Sequence, residues 1–240
     1  MHDKLLKEII DTELSRKGSY RYSCLNFMLL KEAVESVSGT DLDTYLKQNF
    51  YHKLGASTTT FQPLKYMSID RIPPTEEDPF FRKQLVRGYV HDEGAALFGG
   101  ISGNAGLFSN ANDLAKLYQM WLNGGEYGGE RYLSEETVRL FTTTKSSISR
   151  RGLGFDKPDP ANSQYSPTSP GAPIEVYGHT GFTGTIFWVD PVHNMIYIFL
   201  SNRVNPARSP NRLSTLSTRE RIQEELYLAL KAIKNPTTND

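Results

Sequence analysis

The 240-residue sequence has one cysteine, Cys24, so no internal disulfide can form and cysteine pairing says nothing about the compartment. Net charge is missing too. Lysine and arginine number 27, and so do aspartate and glutamate, which leaves no basic field to hold a nucleic acid or an anionic membrane surface. A small neutral or zwitterionic substrate suits such a chain better. No apolar run approaches the roughly 20 residues of a membrane span. The opening MHDKLLKEIIDTELSRKG interrupts its apolar positions with charges throughout, so it reads as an amphipathic helix and not as a signal peptide. Common chemical motifs are also missing: there is no Walker loop, GxGxxG, HExxH or CxxC, so no cofactor and no metal is expected. His91 and Asp92 in VHDEG are adjacent residues in what reads as a solvated loop, and two neighbours do not make a metal site. GGISGN fails the G-x-S-x-G spacing of a nucleophile elbow because Gly103 follows Ser102 directly.

What is present begins with helices. RYSCLNFMLLKEAVESVSG predicts a helix over Ser23 to Ser38 that stops at Gly39. TDLDTYLKQNFYHKLG predicts a second, capped by Thr40 or Asp41 and stopped by Gly55. Residues 57–103 hold Pro63, Pro73, Pro74 and Pro79 with little periodicity and read as a long structured excursion. Asn110 or Asn112 then caps DLAKLYQMWLNGG, and Ser134 caps SEETVRLFTTT. Residues 156–173 carry five prolines, which argues against a regular element and for a surface loop or insertion.

After that loop the period changes. EVYGHTG, TGTIFWVD and NMIYIFLSN are β-branched and aromatic runs that predict an antiparallel meander of three strands. STRERIQEELYLALKAI predicts an amphipathic helix long enough to cover one face of the sheet. Helices first, strands next and a closing helix last argue for an α+β fold. The whole chain, residues 1–240, reads as one partial domain: a helical lobe with long loops over 1–155, the proline-rich loop, and strands with the last helix over 174–240.

Read together, YGHTGFTGTIFWVD and RYSCLNF resemble the serine β-lactamase and penicillin-binding-protein superfamily, in its class C, D,D-peptidase and esterase branch. Tyr22-Ser23-Cys24 stands where that family has Tyr-x-Asn, and His179-Thr180-Gly181 where it has Lys-Thr-Gly or His-Thr-Gly. GGISGNAGLFSNANDLAKL is similar to the glycine-rich segment and helix between them. The wording of FRKQLVRGYVHDEGAALFGG and GHTGFTGTIFWVDP is similar to the C-terminal serine-hydrolase module found behind family-three glycoside hydrolases in some bacteria. The resemblance implies an antiparallel sheet flanked by helices plus a helical lobe. It also implies acyl transfer on a peptidoglycan-type peptide, a β-lactam or an ester. Tyr22 would shuttle a proton to the leaving group and His179 would supply a polar or positive group on the strand. Thr180 would offer a hydroxyl to the substrate carboxylate, Gly181 an open strand edge, and the Phe182 N–H an oxyanion donor. For the parent protein it implies the periplasm or cell surface.

Two departures stand against that pattern. The family nucleophile sits in Ser-x-x-Lys, and no serine here precedes a lysine by three. Thr142 and Lys145 have the spacing but follow Tyr22, in the wrong order and at the end of an exposed helix. With 21 residues before Tyr22, the chain reads as the C-terminal two-thirds of a domain whose sheet lacks two strands, inactive alone. Such a fragment is expected to self-associate or to need an N-terminal complement. The second departure is Cys24 in place of asparagine or aspartate, since a thiol cannot offer an amide's paired donor and acceptor. Two other readings stand beside the hydrolase: a non-catalytic module that binds a peptide or glycopeptide, and a hydrolase using Cys24 with His179.

Overall fold

Helix α2 (Leu25–Ser38) starts two residues later than its composition predicts, because Cys24 makes no capping bond and the Ser23 hydroxyl takes the Leu25 N–H at 3.2 Å. It ends as expected. Gly39 has φ 66°, the left-handed turn that costs a residue without Cβ least, and its N–H bonds the Glu35 carbonyl at 2.9 Å. The computed structural model describes residues 2–14 and 17–234. Within them the opening helix is α1 (His2–Ile10), and Met1, Ser15 and Arg16 of that predicted stretch lie outside the described residues.

The chain forms two compact units, residues 1–117 with 204–208 and residues 118–203 with 209–240. In the first, the Asp41 carboxylate accepts the Thr44 N–H at 3.0 Å and starts α3 (Leu42–Leu46). The predicted single helix then widens into a π turn over Lys47–Tyr51. The excursion that follows contains two 3₁₀ turns, the hairpin β1 (Glu76–Asp78) with β2 (Gln84–Val86), and the short α4 (Glu93–Leu97). Acidic residues form the buried face of β1. Asp78 accepts the N–H groups of Phe80, Phe81 and Arg82 at 2.9 to 3.0 Å. Glu76 bonds His91 at 2.7 Å and takes Arg208 at 2.8 Å. VHDEG is therefore not a solvated loop: His91 is bonded to a buried carboxylate, and Asp92 caps α4 by accepting the Ala95 N–H at 2.7 Å.

Helix α5 (Ala111–Leu122) is capped by Asn110, which accepts the Asp113 N–H at 3.0 Å, and the division between the units falls inside it. In the second unit a small hairpin, β3 (Glu126–Tyr127) with β4 (Glu130–Arg131), precedes α6 (Glu135–Thr142), whose cap is Ser134. The three predicted strands are β5 (Tyr177–Thr180), β6 (Ile186–Asp190) and β7 (Met195–Phe199), antiparallel in the order β5-β6-β7. Gly178 lies opposite Trp188, and Trp188 opposite Tyr197.

Both faces of this sheet are covered, which explains why IFWV, residues 186–189, is a continuous apolar run rather than an alternating one. On one face Ile186 and Trp188 pack with Val176 and Tyr197. After α7 (Arg212–Thr215), helix α8 (Thr218–Lys234) closes the chain on β6 and β7. Tyr197 donates to the Arg219 carbonyl at 3.1 Å and Tyr227 to the Asp190 carboxylate at 2.8 Å. On the other face Phe187 stacks on Tyr118 with ring centres 3.8 Å apart, and Phe155 meets Tyr177 edge-on. The fold is mixed α+β, as the element order predicts.

The proline-rich stretch corrects its expectation. It is not merely a surface loop, for its polar ends are buried and it holds a 3₁₀ segment at Pro160–Tyr165. At the start Asp156 pairs with Gly178 through two backbone bonds, at 2.7 and 3.0 Å. Near its end the N–H groups of Ser169 and Gly171 are held by Gln223 and Glu224 of α8, each at 2.8 Å.

Gly178 is where these contacts converge. A Cβ there would lie 2.0 Å from the Phe187 carbonyl oxygen and 2.6 Å from a Trp188 ring carbon, and neither can yield. Gly178→Ala is expected to cost about 1–3 kcal/mol, read as a lower urea midpoint. An unchanged midpoint would contradict this packing.

Candidate active site

His179 and Thr180 end β5, and Gly181 to Gly184 make the turn into β6. The Gly181 N–H bonds the Thr185 carbonyl at 2.7 Å, and the Gly184 N–H bonds the Gly181 carbonyl at 2.9 Å. A Cβ at Gly181 would stand 2.3 Å from the Thr185 hydroxyl and would force that hydroxyl to turn away. Phe182 is exposed at the tip, its carbonyl accepting from Arg203 Nε at 2.9 Å with the guanidinium over its ring. Residues along a strand turn their backbone groups alternately to opposite sides. With Gly178 turned outward to Asp156, Thr180 is the next residue facing that outer side. The Asp156 bridge therefore ends where the predicted tripeptide begins.

The His179 ring is half-buried and bonded at both nitrogens. Nδ1 lies 2.7 Å from the Thr180 carbonyl oxygen and Nε2 lies 2.8 Å from Nη1 of Arg151. A carbonyl only accepts and a guanidinium only donates, so the proton is on Nδ1 and the ring is neutral. Burial lowers its pKa from the ordinary 6.5, and the Arg151 charge adds to this. The bond to Thr180 and the charge of Asp156 act in the other direction, less strongly overall.

Tyr22 and Cys24 belong to the first unit. Tyr22 is exposed and Cys24 half-buried, its carbonyl accepting the N–H groups of Phe27 and Met28 at 3.1 Å at the start of α2. Beside α2 and α3 a largely apolar cleft of about 350 Å³ opens, lined by Phe27, Leu30, Lys31, Val34, Leu42, Leu46 and, from the GGISGN turn, Ser102 to Asn104. Gly103 packs so tightly on α2 that a Cβ would meet the Phe27 carbonyl at 2.1 Å. Ser102 is buried and donates to Asn104 Oδ1 at 2.7 Å, which suits structure and not nucleophilic attack.

Neither threonine–lysine spacing in the chain makes a nucleophile and base. Thr142 is buried and its hydroxyl donates to the Val138 carbonyl at 2.9 Å. Thr44 precedes Lys47 by three as well, a spacing easily passed over. The Lys47 ammonium is occupied by Asp43 at 2.8 Å and lies over the Tyr66 ring. Sequence reasoning also missed Arg151, whose only signal is the pair Arg150-Arg151 ahead of the insertion. Among the described residues no three His, Cys, Asp or Glu side chains gather as a metal site, and no helix is long and apolar enough to cross a membrane.

Comparison with known proteins adds an independent finding. The family profile described as β-lactamase matches residues 3–218. An Escherichia coli K12 protein, provisionally named a D-alanyl-D-alanine carboxypeptidase, is 38% identical over 88% of this chain and 53% of its own length. A Salmonella gallinarum protein of the same provisional name is 35% identical over 91% of this chain and 55% of its own. The chain thus spans about half the length of the curated relatives it matches. Among solved structures, a β-lactamase from Mycobacterium bovis aligns over 90% of this chain and 68% of its own, with TM-score 0.60 and 20% identity. The octameric penicillin-binding protein homologue from Pyrococcus abyssi aligns over 95% of this chain and 47% of its own, with TM-score 0.62 and 18% identity. At those identities the structures speak for the fold.

The neutral ring makes a pH dependence. Below about pH 6.5 the unfolded chain binds a proton at His179 before the folded chain does, so this group's contribution is complete above that pH and shrinks as pH falls below it. The stability difference between the wild type and His179→Gln should therefore narrow from about pH 7.5 to about pH 5.5 in urea titrations. A difference that widened on acidification would show a ring that folds charged.

Proposed function

The chain belongs to the β-lactamase family, and from that premise we propose that it is the portion of a serine hydrolase that carries Tyr22 and the His179 strand. Its reaction is acyl transfer on a cell-wall-type peptide, the class suggested by the carboxypeptidase names of its relatives. The observation that carries the reading is the β5 edge. The Asp156 bridge pairs the outer side of β5 at Gly178, immediately before His179, Thr180 and Gly181, the tripeptide where the family lays its substrate, and Thr180 is the next residue turned to that side. In that role the Thr180 hydroxyl holds a carboxylate and the Phe182 N–H stabilises an oxyanion. Tyr22 passes the proton to the leaving group. Cys24, where the family has asparagine or aspartate, weakens the bonds made beside it.

A nucleophile completes the reaction. No Ser-x-x-Lys occurs in the 240 residues, so we assign it to a segment outside them. The apolar cleft beside α2 and α3 suits an apolar helix as its seat. An exposed apolar cleft favours self-association, and sedimentation showing a monomer at every concentration would count against that seat. The parent protein would work in the periplasm or at the cell surface, where such peptides are.

A fluorescent penicillin, a fluorophosphonate, a chromogenic cephalosporin and a p-nitrophenyl ester test the chain by itself. The expected result is no covalent label and no turnover above background, since a site without nucleophile and base keeps at most the weak effects of binding and oxyanion donors. Steady turnover abolished by His179→Ala would refute the missing nucleophile. A label confined to Cys24 would replace the serine reading with a thiol one.

A further inference from the structure

Of the two groups bonded to the His179 ring, one is a side chain from outside its strand. Arg151 donates from Nη1 to His179 Nε2 at 2.8 Å and from Nη2 to Asp156 Oδ2 at 2.7 Å. Asp156 is itself buried and takes Arg150 as well, through Nε at 2.7 Å and Nη2 at 3.0 Å. Asp156 is also the residue whose backbone pairs with Gly178, so the carboxylate that aims Arg151 is built onto the same strand as the histidine. Charged groups near the ring include Arg151, then Asp156, with Arg150 and Asp159 behind it.

We propose that Arg151 is a positioning residue of this strand edge, holding the His179 imidazole as the neutral Nδ1–H form and carrying the positive charge of the edge itself. The proposal deepens the hydrolase reading and rests on it for the role of the edge. It also explains a constraint on residue 179. The family resemblance allows lysine at this place, but here an ammonium would stand against a guanidinium that now lies 2.8 Å from the ring nitrogen. Like charges at that distance repel strongly when partly buried. Histidine and Arg151 therefore go together.

Two measurements test this without any turnover. In ¹⁵N-detected spectra of the full chain near neutral pH, His179 should show a protonated Nδ1 and a bare Nε2. Arg151→Ala should release the ring to a mixture of tautomers, and Arg151→Lys, which keeps a cationic donor, should restore Nδ1–H. An Nε2–H ring in the wild type, or an unchanged ring in folded Arg151→Ala, would overturn the proposal. The wild-type spectrum decides even if the variants fail to fold. In the second measurement His179→Lys should lower Tm by on the order of several degrees, and adding Arg151→Gln should recover much of that loss. Strictly additive losses would contradict the charge assignment. Because neither readout needs acylation, a chain that never reacts leaves this test intact, and a failed tautomer test leaves the hydrolase reading to be judged by its own labelling.

Discussion

The backbone bridge between Asp156 and Gly178 is the constraint on which the rest of the second unit depends. It occupies the outer side of β5 at Gly178 and leaves that side to Thr180. It brings the proline-rich insertion against the sheet at a point where no side chain fits, since Gly178 meets the Phe187 carbonyl and the Trp188 ring. It also sets the Asp156 carboxylate between two guanidiniums, one of which reaches His179. A buried carboxylate is costly unless paired and hydrogen-bonded, and the two arginines each offset part of that cost, Arg150 through two bonds and Arg151 through one.

The first unit solves a similar problem with different residues. Glu76 and Asp78 are almost fully buried in a hairpin, which sequence composition disfavours, yet each finds charged or N–H partners. Asp78 takes three backbone N–H groups of its own turn. Burial opposes its ionisation, but those bonds outweigh it and hold its pKa at about 2. Glu76 relies on His91 and on Arg208, which returns from far along the chain.

How much could be read from sequence follows from the range of each interaction. The stops and caps at Gly39, Asp41, Asn110 and Ser134 were legible because their bonds close within four residues. The three strands were legible from their β-branched and aromatic runs. Glu76 to Asp78 was not, because an acidic strand makes sense only beside Arg208, 132 positions away from Glu76. Arg151 was hidden for the same reason, 28 positions from the histidine it orients, across an insertion rich in proline. At the site, the tripeptide at 179–181 stood out through its family resemblance. The protonation of its histidine required the two acceptor and donor partners that only the fold supplies.

The central claim is that this chain holds one part of a serine-hydrolase site and that another segment holds the nucleophile. The most direct test joins this chain to the part of the Escherichia coli relative that it does not match, and then treats the folded product with fluorescent penicillin. The account predicts a covalent label on a serine of the added part, diminished by Tyr22→Phe and by His179→Ala. A folded product that stays unlabelled, or a label on a residue of this chain, would contradict it.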